Sequence, residues 1–268
     1  MLRATGYNKS AVSAQTSPHP RYHFHGFAGD IISGDGKFFD RSPLGNHAVR
    51  GANLSEANML ANAGYVSTVD PVGGSADSVL RIPNLNFDYA GGEKLIMYWL
   101  GKATAEGASV RGLGDGYGTS YPGFATIFYS TGGLQVVLSD GTGQYFSANT
   151  VETPFDGNLH SISVVLDGEG RRIGIWVDEV IVAYLGGAYG TFSGGASVDT
   201  RNSNTFNIGG VHSAATIGAS PLGIATQTRA LHILRLGASD PLPSITTMTQ
   251  VFTQLRADPS KPILGGAF

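Results

Sequence analysis

Cysteine is absent from all 268 residues, so a disulfide framework, a thiolate metal site and a cysteine nucleophile are all excluded. Charge is scarce as well: only 14% of the residues are Asp, Glu, Lys or Arg, and 17 basic against 20 acidic side chains leave a formal net charge of -3. That balance supplies no basic field for nucleic acid and no polybasic patch for an anionic membrane, so neither is an expected partner. Long apolar runs are missing too. No stretch is long enough to span a bilayer, and the first twenty residues, MLRATGYNKSAVSAQTSPHP, hold no apolar segment that could serve as a signal-peptide core. The expectation is a protein made in a cytoplasm and not inserted into a membrane.

What the chain does have is 39 glycines, 12 prolines, 11 tyrosines and 13 phenylalanines, with 41% hydrophobic residues. This composition favours many short strands and tight turns around one large core over long solvent-facing helices. The segment Phe155 to Gly186, FDGNLHSISVVLDGEGRRIGIWVDEVIVAYLG, shows how. Ile162, Val164 and Leu166 alternate with Ser161 and Ser163, the period of a strand with one buried face. Asp167-Gly168-Glu169-Gly170 then reverses the chain, Ile173, Ile175 and Val177 resume the alternation, and Asp178-Glu179 turns it again into Val180 to Ala183. Three antiparallel strands are expected here. A two-residue type I′ turn needs positive φ at both central residues, so Glu179 costs on the order of 1 kcal/mol there or forces a longer turn.

Asp156, Gly157 and His160, followed by Trp176, Val177 and Asp178, resemble the D-G-x-x-H strand and the Y/W-V-D-G hairpin of laminin-G-like, concanavalin A-type jelly rolls, with Glu179 in place of the usual glycine. The resemblance extends both ways. Asp40-Arg41-Ser42-Pro43-Leu44-Gly45-Asn46-His47 is similar to that family's opening D-x-S-G-N-x-H loop; Tyr65, Ser78 to Pro83 and Leu95 to Leu100 resemble its early strands; Phe206 to Gly210 and Arg229 to Leu236 resemble its later ones. The resemblance implies an all-β, antiparallel jelly-roll sandwich over residues 23–238. An extended arm, residues 1–22, precedes it, and residues 239–268 hold a helix and tail. In that tail Ile245, Met248, Phe252 and Leu255 share a helical face, Ser244 is placed to cap it, and Asp258-Pro259 to stop it.

Sites of chemistry are few. The paired-carboxylate strand motif of glucanases with this fold, E-x-D-x-(x)-E, does not occur, nor does a G-x-S-x-G elbow, a phosphate-binding loop or an H-E-x-x-H pair. No enzyme is expected. Asp167, Glu169, Asp178 and Glu179 read as solvated turn residues. His23 and His25 fall on one face of an extended segment with His19 nearby, which suits zinc or nickel, but a structural role in an aromatic-rich strand is preferred for lack of a further ligand. No cofactor is required. The family resemblance implies one calcium ion at a loop edge, for which Asp115, Asp140, Asp199 and Asn202 offer oxygens, though the same residues also read as ordinary turn positions.

The candidate contact residues are aromatic. Tyr117 and Tyr121 lie in the glycine-rich segment Gly112 to Gly123, and Tyr189 and Phe192 in Tyr184 to Gly195. Such loops stack on sugars, join subunits or fold inward as plain structure. Three functions follow. The first is a virion structural protein, a bacteriophage capsid decoration or tail component contacting other virion proteins and homo-oligomeric neighbours, synthesised in the host cytoplasm and able to attach to a cell-surface glycan. The second is a freestanding carbohydrate-binding or adhesion module, and the third a polysaccharide hydrolase of the same fold.

Overall fold

The computed structural model describes residues 22–31, 34–68, 78–83, 85, 87, 92–103, 110–116, 123–128, 133–139, 145–149, 155–182, 189–191, 205–210 and 225–263. Within these, the chain forms two eight-stranded antiparallel sheets. Sheet A contains β1 (Tyr22–Phe27), β4 (Val66–Ser67), β6 (Lys94–Ala103), β11 (His160–Asp167), β12 (Arg172–Val177), β13 (Val180–Ile181), β14 (Gly190–Thr191) and β16 (Thr226–Leu236). Its main order is β1-β16-β6-β11-β12-β13, with β4 beside β16 and β14 beside β12. Sheet B contains β2 (Lys37–Phe38), β3 (Ala48–Arg50), β5 (Leu80–Ile82), β7 (Val110–Gly114), β8 (Gly123–Phe128), β9 (Leu134–Ser139), β10 (Tyr145–Asn149) and β15 (Phe206–Ile208). Its order is β10-β9-β8-β7-β15-β5-β3-β2. A short helix α1 (Glu56–Met59) and a longer α2 (Ile245–Ala257) complete the described elements with one 3-10 turn at Ala28–Asp30. The jelly-roll sandwich expected from the sequence is therefore present.

The run KLIMYWLGKA in β6 lacks the usual polar-apolar alternation because both faces of sheet A are covered. Leu95, Met97 and Trp99 enter the core between the sheets, where they meet Phe24, Phe38, Phe124 and Phe206. Ile96, Tyr98 and Leu100 face the other way, into a second apolar cluster with Trp176, Leu234, Met248, Phe252 and Leu255. Each tryptophan serves one layer and has its indole N–H satisfied: Trp99 donates to Thr228 Oγ1 and Trp176 to Thr249 Oγ1, both at 2.9 Å. Trp176 lies flat along its own strand because Gly174 leaves room; a Cβ there would stand 2.5 Å from the indole ring.

Helix α2 is the lid of the second layer. Of the expected apolar stripe, Met248, Phe252 and Leu255 are buried together with Val251, and Ile245 is partly covered at the start of the helix. Ser244 caps the helix by accepting from the Thr247 N–H at 3.0 Å. Past Asp258 the chain runs as a strap over β1 and β16, ending among the described residues at Ile263, which is buried in the same cluster. Tyr22, expected at the end of an N-terminal arm, is instead the first residue of β1 and fully buried; residues 1–21 lie outside the described set.

Because Phe252 packs on both Tyr98 and Trp176, Phe252→Ala is expected to destabilise the protein by about 3–5 kcal/mol, while Ser244→Ala costs about 1 kcal/mol. Urea denaturation of the two variants checks the order. Equal, negligible losses would show that the helix is not part of the core.

Candidate functional site

Two features named from the sequence turn out to be structural hubs. In the opening loop, the buried Asp40 carboxylate accepts from the backbone N–H groups of His25, Ser42 and Asn46 and from the Ser42 hydroxyl, at 2.6–2.8 Å. Asn46 donates to the His23 carbonyl and the Arg41 N–H to the His25 carbonyl. These bonds occupy backbone groups on the outer edge of β1, which an uncovered edge strand would offer to another chain. Arg41 is tied in turn to Asp30 and to the Ser260 carbonyl, linking loop, sheet and strap.

The second hub joins the D-G-x-x-H and W-V-D motifs. His160 sits between two carboxylates, with Nδ1 2.6 Å from Asp178 and Nε2 3.0 Å from Asp156. Partial burial pulls the imidazole pKa down, but the hydrogen bonds and charges of both aspartates outweigh it and raise the value above the ordinary one. Asp178 and Glu179 adopt φ of 48° and 64°, so the two-residue turn with a glutamate at its second position is kept. The side chains compensate: Asp178 accepts from the Ser161 N–H at 3.0 Å and Glu179 from the Ser161 hydroxyl at 2.5 Å. Burial raises the Glu179 pKa, while the Ser161 hydrogen bond opposes it. Arg256 of α2 donates to the Leu159 carbonyl at 3.1 Å and lies 3.9 Å from Asp178, so the hairpin also anchors the helix.

Several expectations are corrected by this geometry. Asp167 is no solvated turn residue: it is 2% exposed, accepts from Gly170 N–H at 2.9 Å and pairs with Arg172. Asp178 and Glu179 are half-buried and bonded, not free. His23 and His25 do not share a face, because a register shift between Tyr22 and Phe24 inserts an extra residue. His25 stacks on His232 with Tyr22; His23 packs against Phe87. Nothing in the sequence pattern announces a bulge.

Of the aromatic contact candidates, Tyr189 is the one the structure describes. Its hydroxyl donates to the Pro243 carbonyl at 2.6 Å and its ring meets Trp176 edge-on, so it braces the segment leading into α2. Tyr117, Tyr121 and Phe192 lie outside the described residues, as do His19, Asp140, Asp199 and Asn202. The two aromatic segments belong to different sheets: residues 117–122 connect β7 to β8 in sheet B, whereas Tyr189 precedes β14 in sheet A. Asp115 is fully buried, with one carboxylate oxygen accepting from Phe124 N–H at 2.7 Å. Among the described residues no group of three or more His, Asp or Glu side chains is arranged to hold a metal ion.

Sheet A has its outer face covered by α2; the outer face of sheet B is buried at Ala125, Val137 and Ser139 and exposed, among the described residues, toward β2 and β3. One row of paired residues crosses it: Lys37 opposite Val49, Val49 opposite Arg81, Arg81 opposite Asn207 and Asn207 opposite Gly114. Their neighbours Phe38, Ala48, Leu80, Ile82, Phe206 and Ile208 all point inward, which directs this row outward. Its two ends differ. Asn207 is 3% exposed and bonded to Thr205, whereas Val49 is 38% exposed beside an exposed Lys37 and a half-buried Arg81. Directly opposed side chains in a ladder stand about 5 Å apart, so two cations flank an exposed apolar side chain. No local pattern announces this triad, since its members come from three strands distant in the chain.

No family model matches the chain, and no curated protein does. Solved structures with similar folds do exist. The binding domain of botulinum neurotoxin serotype G matches with a TM-score of 0.56 and 9% identity over 88% of this chain and 51% of that one. The binding domain of serotype D gives 0.54 and 10%, over 88% and 52%. A Trypanosoma rangeli sialidase in complex with 2,3-difluorosialic acid gives 0.53 and 12%, over 83% of this chain and 32% of that one. The chain thus spans about half of the toxin domains and a third of the sialidase. At these identities the likeness is one of fold, and the class it defines is an antiparallel β-sandwich.

The raised His160 pKa fixes the sign of a pH effect. The His160 bridge stabilises the fold fully below the unfolded value near 6.5 and is lost as pH rises through the higher folded value. His160→Gln should therefore lower Tm more at pH values near or below 6.5 than well above it, where the bridge is already lost; the reverse order would refute the bridge. Separately, Glu179→Gly relieves the left-handed backbone but leaves the buried Ser161 hydroxyl without its acceptor. Adding Ser161→Ala to that variant should recover about 1 kcal/mol, measurable by urea titration; no difference between the single and double variants would show that Ser161 and Glu179 do not support each other.

Proposed function

We propose that this protein is a non-catalytic carbohydrate-recognition module that binds through the outer face of sheet B, with acidic sugars as the favoured ligand class. The observation that carries the reading is the asymmetry of the two sheets. Sheet A buries its outer face under α2 and the strap, whereas sheet B presents Lys37, Val49 and Arg81 in register. Two cations beside an apolar ridge suit a sugar carboxylate next to an aliphatic ring face. The fold likeness to two toxin binding domains supports a binding role, and the sialidase, a third of which the chain covers, was solved with a sialic acid derivative. Tyr117 and Tyr121, in the sequence between β7 and β8, are the aromatic candidates that the sequence adds to this reading.

Absence of catalysis is part of the proposal. The polar cluster around His160 is internally committed: Asp156 and Asp178 both bind His160, and the Ser161 hydroxyl bonds Glu179. A general acid paired with a base across an open cleft needs groups free to face substrate. A place in a virus particle, as capsid decoration or tail component, rests on the missing signal segment, low charge, absent cysteine and long flanking segments, and the fold likenesses favour the freestanding recognition module over it. Calcium is an implication of the family resemblance, and Asp115 is its candidate among the described residues.

The test is a glycan array carrying sialylated and neutral oligosaccharides, run with and without calcium. Sialylated glycans should give the signal, and Lys37→Ala with Arg81→Ala should reduce it at least about tenfold, as should Tyr117→Ala with Tyr121→Ala. An array without signal, or one unmoved by either pair, would overturn the reading.

A further inference from the structure

We propose that the C-terminal strap, residues 258–263, is an acid-sensitive latch that stays docked on sheet A only while the buried imidazole of His232 is neutral. An unbroken line of hydrogen bonds runs through that ring. The Ile263 N–H donates to the Tyr22 hydroxyl at 2.6 Å, which leaves the hydroxyl hydrogen to be donated to His232 Nδ1 at 3.0 Å. At the other side of the ring, Nε2 lies 3.0 Å from the Pro259 carbonyl. A carbonyl can only accept, so Nε2 carries the hydrogen and Nδ1 is bare. One neutral imidazole thus ties both ends of the strap, through Pro259 and Ile263, to the outer face of sheet A.

Protonation breaks this line at a definable atom. A hydrogen placed on Nδ1 faces the hydrogen of Tyr22, and the hydroxyl must turn away from the bond it makes. The groups around the ring do not welcome the charge. From β1, His25 stacks on it with ring centroids 4.4 Å apart, and Tyr22 lies beside it; from β6, Tyr98 meets it edge-on. From the opening loop comes the Arg41 guanidinium, whose own charge is matched by Asp30, while Asp40 is spent on backbone N–H groups. The strap itself carries Asp258 and Lys261, which pair with each other at 3.3 Å, and α2 presents Phe252 to Tyr98. No carboxylate among these contacts the ring. Burial, with Arg41 adding to it and the Pro259 bond opposing, holds the His232 pKa down at about 4. His25 is pushed down further, by burial first and then by His232 and Arg41.

The sign follows. A histidine whose folded value lies below its unfolded value stabilises the docked state above pH 6.5, and that contribution is lost as pH falls toward 4. Each pH unit separating the two values corresponds to a tenfold change in the docking equilibrium. This holds whether or not the outer face of sheet B binds glycans.

Amide hydrogen exchange on the full chain tests the latch. Between about pH 7.5 and about pH 4.5, after correction for intrinsic rates, protection of the Ile263 amide should fall at least about tenfold, while near-UV circular dichroism and the β6 amides still report a folded sandwich. In His232→Gln the fall should be clearly smaller than in the unaltered protein, the remainder coming from His25, the other buried imidazole beside the strap. Unchanged Ile263 protection, an equal fall in the variant, or β6 amides exchanging at the rate of Ile263 would overturn the proposal. Should the variant not fold, titration of the His232 ring by NMR in the unaltered protein decides. A pKa near 4 that coincides with Ile263 opening supports the latch, and one near 6.5 overturns it.

Discussion

Burial of sheet A on both faces is the constraint on which the remaining structure depends. A strand such as β6, apolar at nearly every position, cannot leave a face in water. Between the sheets it finds the aromatic residues of sheet B, and on the other side it finds α2 and Ile263. The C-terminal segment is therefore a third layer of the sandwich. Once it is in place it covers the outer face of sheet A, and among the described residues Lys37, Val49 and Arg81 face outward at the β2-β3-β5 end of sheet B.

Polar chemistry in this protein works mostly to hold chain segments together. Asp40 closes the edge of β1, His160 joins the start of β11 to the hairpin after β12, and His232 fastens the strap. In each case one group with several hydrogen-bonding positions joins segments that the ladder does not, Asp40 through backbone N–H groups, His160 through two carboxylates and His232 through a hydroxyl and a carbonyl. The scarcity of charged residues makes each one count. Lys94 is an example: buried at the start of β6, its ammonium donates to three carbonyls, those of Gly92, Gly237 and Ala238.

Much of the fold was legible in the sequence, and the reasons are local. The alternation in Ser161 to Val177 sets which side chains enter the core, and the turn residues Asp178-Glu179 mark the reversal; both take the expected form. The helix was equally readable, from one apolar stripe and one capping serine. Missed features are those set by tertiary contact. The bulge that parts His23 from His25 and the commitment of Tyr189 to Pro243 depend on neighbours far along the chain, while Asp167 is held by Gly170 and Arg172 within its own hairpin. The candidate surface was illegible for the same reason: Lys37, Val49 and Arg81 meet only through strand register.

The most direct test is a two-dimensional NMR titration of the protein with a sialylated oligosaccharide, residue by residue. Shifts confined to β2, β3 and β5, around Lys37, Val49 and Arg81, with α2 and the strap silent, are what the open face of sheet B predicts. Shifts centred on α2 and the outer face of sheet A would contradict it, since a ligand there would have to displace the layer that the packing of β6 requires.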